Sequence, residues 1–153
     1  VGENLKYAVK SKNGRVVACL LFGSAAWSCK DRDEWIGWSV EKRKKKLQFV
    51  AGNHRFLILP FVKIPHLASH ILGLILKRIS SDYEEIYGHP IHLIETFVNT
   101  ERYLGTCYKA ANFIHAGVTT GRTRNDRYLS IEESKKAVYL YPLHKRFQEL
   151  LNG

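Results

Sequence analysis

Apolar and polar residues alternate at Leu5, Tyr7 and Val9, as in a half-buried strand. Asn13-Gly14 follows, a dipeptide suited to the positive φ of a tight hairpin turn. Val16 to Phe22 then runs nearly all apolar, like a strand covered on both faces, so Leu5 to Trp27 reads as a β-hairpin. Gly23 to Trp38 has no clear period. It holds all three tryptophans, with Lys30 to Glu34 between two of them, and reads as a charged loop pinned by aromatics. Ser39 can cap a helix running to about Ala51, with Leu47 and Val50 as its apolar stripe.

Phe56 to Val62 is a short apolar run and reads as a central strand, with Pro60 marking a bulge or an early end to pairing. Pro65 suits the first turn of the longest helix. Leu67, Ile71, Leu74, Ile75 and Ile79 recur along one side of it, and Gly88 is its stop. Ile91 to Val98 is a strand that carries a carboxylate, Glu95. Gly105 to Phe113 reads as a short helix, Ile114 to Thr119 as a strand and Gly121 to Arg127 as a basic loop. Ala137 to Leu143 makes a last strand, and His144 to Leu151 a terminal helix. Strands alternating with helices give an α/β domain with a mixed central sheet flanked by helices.

Size and composition narrow the class. The 153 residues fit one domain spanning the whole chain. A hydrophobic content of 45% argues against disorder. No apolar stretch is long enough to span a bilayer, so no membrane partner is expected. Three cysteines (Cys19, Cys29 and Cys107) without CxxC spacing speak against a disulfide framework or a zinc site and for a reducing, cytoplasmic location. The chain contains no Met and reads as processed or excised from a longer protein.

The formal charge of +10 turns attention to anionic partners, with nucleic acid, and DNA in particular, favoured. Lys42, Arg43, Lys44, Lys45 and Lys46 point around a whole helical turn, so some must face solvent or phosphate. Arg55, Arg122 and Arg124 add to the candidate phosphate contacts. Trp35 and Trp38 could stack bases or pack in the core. Thr119-Thr120-Gly121-Arg122 reads either as an anion-gripping turn or as an exposed basic loop. His66 and His70 stand four apart on a helix, a weak metal signal with no carboxylate at helical spacing, and no metal site is assigned.

A candidate catalytic set is Glu95, Arg102, Cys107, Tyr108 and Asn112, of which Glu95, Arg102, Tyr108 and Asn112 would line a central cleft. Burial would raise the pKa of Glu95 toward that of a useful general base; the alternative is a salt bridge to Arg55 or Arg102. Tyr108 could donate a proton or be a core residue with a bonded hydroxyl. Cys107 could be a nucleophile or an inert buried thiol.

Several longer motifs occur in one order. They are Arg32-Asp33 with Trp35-Ile36-Gly37-Trp38, Asn53 with Arg55-Phe56-Leu57-Ile58-Leu59-Pro60, Leu67-Ala68-Ser69, Glu95-Thr96-Phe97-Val98, and Gly105-Thr106-Cys107-Tyr108 with Ala110-Ala111-Asn112-Phe113. With them the chain resembles the DruA family of the Druantia anti-phage system, related domains of which occur in transposase-like proteins of mobile elements. The resemblance implies a setting in phage defence or DNA mobility, with other defence-system or transposase subunits as partners. It supplies no reaction.

At fold level, the order from Phe56 to Thr119 resembles the GNAT acetyltransferases. That resemblance implies a V-shaped opening beside the strand Phe56–Val62. It implies acetyl-CoA held near Leu59, Phe61, His66, Ala68 and Ser69, and it sets Tyr108 where many members keep a general-acid tyrosine. The turn Lys63-Ile64-Pro65-His66 departs from the Gly-rich cofactor loop of that fold, having no glycine and a proline without an N–H. Three functions therefore stay open: action on nucleic acid, acyl-CoA-dependent transfer, and non-catalytic protein docking.

Overall fold

The structure, a computed structural model, describes residues 2–100, 105–119 and 135–153. Six strands form one mixed sheet in the order β1-β2-β3-β4-β6-β5. The expected hairpin is present: β1 (Leu5–Lys10) and β2 (Val16–Ser24) pair antiparallel, with Gly14 at φ 84° in the turn. β3 (Val50–Ile58) runs antiparallel to β2 and parallel to β4 (Leu93–Asn99). β6 (Lys136–Pro142) pairs antiparallel with both β4 and β5 (Ile114–Val118).

Successive residues of a strand face opposite sides, and the sheet uses both. Phe22, Ala51, Ile94, Val98 and Tyr139 pack with α3 (Leu67–Leu76), α4 (Ile79–Tyr87) and α5 (Thr106–Ala110). Val50, Leu93, Val138 and Leu140 pack with Ile36 of α1 (Lys30–Ile36) and Leu151 of α6 (Phe147–Asn152). α2 (Val40–Lys46) lies beside α6.

Three expectations are corrected. The segment read as a loop contains α1, which buries Arg32 and Ile36 four residues apart and stops where Gly37, at φ 78°, returns its N–H to the Asp33 carbonyl. The buried partner at that spacing is a charge, so the apolar period is hidden. The helix expected from Ser39 to Ala51 keeps its cap, with Ser39 Oγ accepting from the Lys42 N–H, but ends at Lys46 and closes with one 3-10 turn, Leu47–Phe49. Val50 and Ala51 are then drawn into the sheet by pairing with β4 and β2, so the strand begins six residues before Phe56. Past Leu59, whose N–H reaches the Val17 carbonyl, Pro60 has no N–H with which to continue. The single long helix is two, broken at Lys77-Arg78, so that Ile71, Leu72, Ile75 and Leu76 in α3, and Ile79 and Tyr83 in α4, can all be buried.

Candidate functional site

The parallel pairing of β3 with β4 is short: Val50 with Leu93, Ala51 with Ile94 and Gly52 with Glu95. Beyond that pair the strands part, and α5 and the start of α3 border the fork. The resulting cleft is about 720 Å³ and is lined by Phe56, Ile58, Ala68, Phe97, Cys107 and Tyr108, with Lys136 as its cation. Its walls are mostly apolar.

Tyr108 is 9% exposed, and its hydroxyl donates to Asn53 Oδ1 at 2.6 Å. Asn53 is fixed in turn, its Nδ2 donating to the carbonyls of Leu21 (3.2 Å) and Arg55 (3.1 Å). Thr96 Oγ1 donates to the Asn53 carbonyl at 3.2 Å, a side-chain tie across the start of the fork. Burial pushes the Tyr108 phenol up to about 12, against the Thr96 hydroxyl, so it is a neutral donor at pH 7. Cys107 shares the cleft, and burial pushes its thiol up, which disfavours a nucleophilic thiolate.

Glu95 lies on the opposite face, 1% exposed and outside the cleft lining. Its ion-pair partner is Arg32 rather than Arg55: Arg32 Nη1 donates to Oε1 at 2.6 Å, and the Ala26 N–H donates to Oε2 at 2.9 Å. Burial pushes the Glu95 carboxyl up, with the Arg32 guanidinium and the Ala26 N–H pulling the other way. Arg32, itself wholly buried, also holds the Ala26 carbonyl and, through Nε, Asp33 Oδ1 at 2.9 Å. Asp33 further accepts from Trp38 Nε1 (2.8 Å), the Cys29 N–H (3.2 Å) and Arg43 Nη1 (3.3 Å). Despite its own burial these donors hold its carboxyl below the usual range. Both carboxylate oxygens of Glu95 are thus committed inside a network that ties α1 and α2 to β4.

That network also redistributes the candidate nucleic-acid residues. Trp38 is buried beside Asp33, and Trp35 stacks on Phe147 with ring centroids 4.8 Å apart. Arg43 is half-buried and engaged with Asp33, whereas Lys44, Lys45 and Arg55 are exposed, and Lys42 and Lys46 half-exposed. Among the cofactor candidates Ala68 lines the cleft. Leu59 is half-buried outside it, and Phe61 is exposed under the Arg15 guanidinium, 3.7 Å from its ring centroid. Ser69 Oγ donates to the carbonyl of His66, which stands exposed at φ 60° just before α3. Asn112 is exposed at φ 71° on the turn after α5 and borders a separate hollow beside His70. Arg102, Arg122, Arg124, Arg127 and the turn at Thr120-Gly121 lie outside the described residues. Sequence reasoning missed Asn53 and Arg32 as organising groups, although an amide and a guanidinium among apolar neighbours mark both.

The solved structures similar to this chain are acetyltransferases. Spermidine N-acetyltransferase from Vibrio cholerae, in complex with CoA and spermine, is 10% identical, with a TM-score of 0.59 over 92% of this chain and 66% of that one. A GNAT superfamily phosphinothricin acetyltransferase from Sinorhizobium meliloti, in complex with AcCoA, is also 10% identical, with a TM-score of 0.57 over 92% of this chain and 61% of that one. The chain therefore spans slightly less than two thirds of the length of those chains, and at this identity the likeness establishes a GNAT-like fold and nothing finer. No curated protein matches. The family model of the Druantia protein DruA matches residues 1–133, over the hairpin, the Arg32–Asp33–Trp38 network, the fork and α5, and the chain belongs to that family.

Proposed function

We propose that this domain serves anti-phage defence by holding an acyl-CoA-type donor in the fork between β3 and β4 and passing on its acyl group. The observation that carries this reading is the apolar cleft that opens after Gly52 and Glu95, with the neutral hydroxyl of Tyr108 in its wall. Two strand edges that have parted suit an extended, amide-bearing arm such as pantetheine. The first-turn N–H groups of α3 lack intrahelical acceptors, and Lys63 and His66 precede them, which suits the anionic end of the ligand. His66 takes the left-handed conformation that a glycine would adopt without strain, so the turn is made without the glycine. Tyr108 would protonate the leaving thiolate once its O–H turns from Asn53 Oδ1, a rotation about one C–O bond. Titration calorimetry with acetyl-CoA tests this. Binding that Ala68→Phe weakens at least tenfold supports it; no heat at millimolar ligand removes it.

A second reading, nucleic-acid binding with DNA favoured, is supported by Lys44 and Lys45, which α2 presents to solvent beside Lys42 and Lys46. Fluorescence anisotropy across a salt series tests it. Each lost phosphate contact flattens the log–log salt slope by roughly 0.9, so Lys44→Ala/Lys45→Ala should reduce it by about two. An unchanged slope would exclude this helix as the phosphate contact.

A further inference from the structure

The sheet carries one irregularity beside the fork. Leu21 pairs with Arg55 but Phe22 with Asn53, so His54 is the extra residue of a β-bulge. Bulges re-aim side chains and are frequent next to active sites. Here the imidazole lies over Gly52 of its own strand and Gly23 of β2. A Cβ at Gly23 would stand 2.8 Å from Cε1, and one at Gly52 would stand 3.0 Å from Nε2. Two glycines inside strands, each of which weakens its strand, thus make room for one ring.

The ring is exposed, and its Nε2 lies 2.9 Å from the Ser24 carbonyl oxygen. A carbonyl only accepts, so Nε2 carries the hydrogen, and the neutral ring keeps its lone pair on Nδ1. Its place in the sheet matters as much. Gly52 pairs with Glu95, the last partners before the strands part. Phe97, two residues beyond Glu95, faces the same side and lines the cleft. His54 and Phe97 therefore flank the fork on the α1 side, while Tyr108 and Cys107 flank it on the side of α3 and α5.

We propose that His54 is the general base that receives an acceptor approaching the fork from the α1 side. The assignment rests on the acyl-donor reading given above. Nδ1 takes the proton of an uncharged amine or hydroxyl as its nitrogen or oxygen bonds to the thioester carbonyl carbon. The C–S bond breaks, the thiolate takes the Tyr108 proton, and solvent carries the proton on His54 back to Tyr108. The acceptor class is a neutral N–H or O–H nucleophile, and water is its simplest member.

Acetyl-CoA with water as the acceptor provides the test, with free-thiol release and cofactor affinity measured on the same samples. His54→Gln can keep the bond to Ser24 but has no basic nitrogen. It should hold acetyl-CoA as tightly as the wild type while thiol release falls about 100-fold. In His54→Ala, imidazole added to the buffer should restore part of the release, which a purely structural histidine would not allow. Undiminished release from His54→Gln overturns the assignment, as does a wild-type chain that binds acetyl-CoA and releases no thiol. A wild-type chain that binds no acetyl-CoA overturns the donor reading and the base with it, and the binding measurement tells the two failures apart.

Discussion

Glu95 and Asn53 stand close together where β3 meets β4, yet they face opposite sides of the sheet and solve burial differently. On the α1 side the group is charged: Arg32, Asp33 and Glu95 are held by one another, by Trp38 and by backbone. On the α3 side the groups are neutral: Asn53, Thr96 and Tyr108 form a short hydrogen-bonded set that borders an open cleft. The carboxylate whose position in an apolar strand suggests chemistry is locked into the framework. The side able to receive a ligand is built of groups that cost less to uncover, because desolvating a neutral amide or phenol is cheaper than desolvating a charge.

The largest effect should come from cutting the charged side in half. Glu95→Ala leaves Arg32 buried without its carboxylate, and removing one partner of a buried pair costs about 3–5 kcal/mol. Urea denaturation should show that loss. Arg32→Met/Glu95→Leu should be nearer to wild type than either single change, because no charge is then stranded. If Glu95→Ala kept full stability, the network would not be a framework and Glu95 would return as a candidate base.

On the neutral side the corresponding cut is Tyr108→Phe. It strands Asn53 Oδ1 without its 2.6 Å donor, and an unsatisfied buried acceptor costs about 1–3 kcal/mol. Stability should therefore fall by less than with Glu95→Ala, while thiol release from acetyl-CoA falls with the loss of the proton donor. Equal losses of stability from the two variants would erase the contrast between the sides.

The two sides should also differ in acid. The folded Asp33 carboxyl is held below its ordinary value, so its contribution to stability is complete above the unfolded value of about 4 and is lost as pH falls through the folded one. Denaturation midpoints for wild type and Asp33→Asn should therefore differ most above pH 5 and converge toward pH 2. Tyr108, pushed up to about 12, should leave the cleft side indifferent over that range.

The same contrast explains what the sequence discloses. Alternation at Leu5, Tyr7 and Val9, the Asn13-Gly14 turn and the Gly88 stop are local signals, and the elements they mark are present. The order of strands and helices, with the motif around Tyr108, was enough for the GNAT-like fold. Pairings between distant residues left no local trace. Arg32 reaches Glu95 across 63 positions and Tyr108 reaches Asn53 across 55, so the partner of each polar group had to come from the structure. Val50 and Ala51 suit either a helix end or a strand, and β4 settles the choice. His54 gave no signal, because a bulge is a mismatch between two strands and no property of either alone.

The smallest change in stability should accompany one of the sharper changes in chemistry. A methyl group at Gly23 would meet the His54 ring at 2.8 Å, too close to stay, but the ring is an exposed side chain and can swing out. Gly23→Ala should then cost little more than the hydrogen bond to Ser24, about 0.5–1.5 kcal/mol, partly offset by the reduced backbone freedom of the unfolded chain. Because the displaced imidazole no longer stands at the fork, thiol release should fall nearly as far as in His54→Gln, with the histidine still present. Histidine ring NMR would follow the displacement as loss of the fixed Nε2–H form. Release unaffected by Gly23→Ala, with the ring shown to have moved, would mean that the bulge serves the bend of β3 alone and that the two sides of the fork are not joined by chemistry.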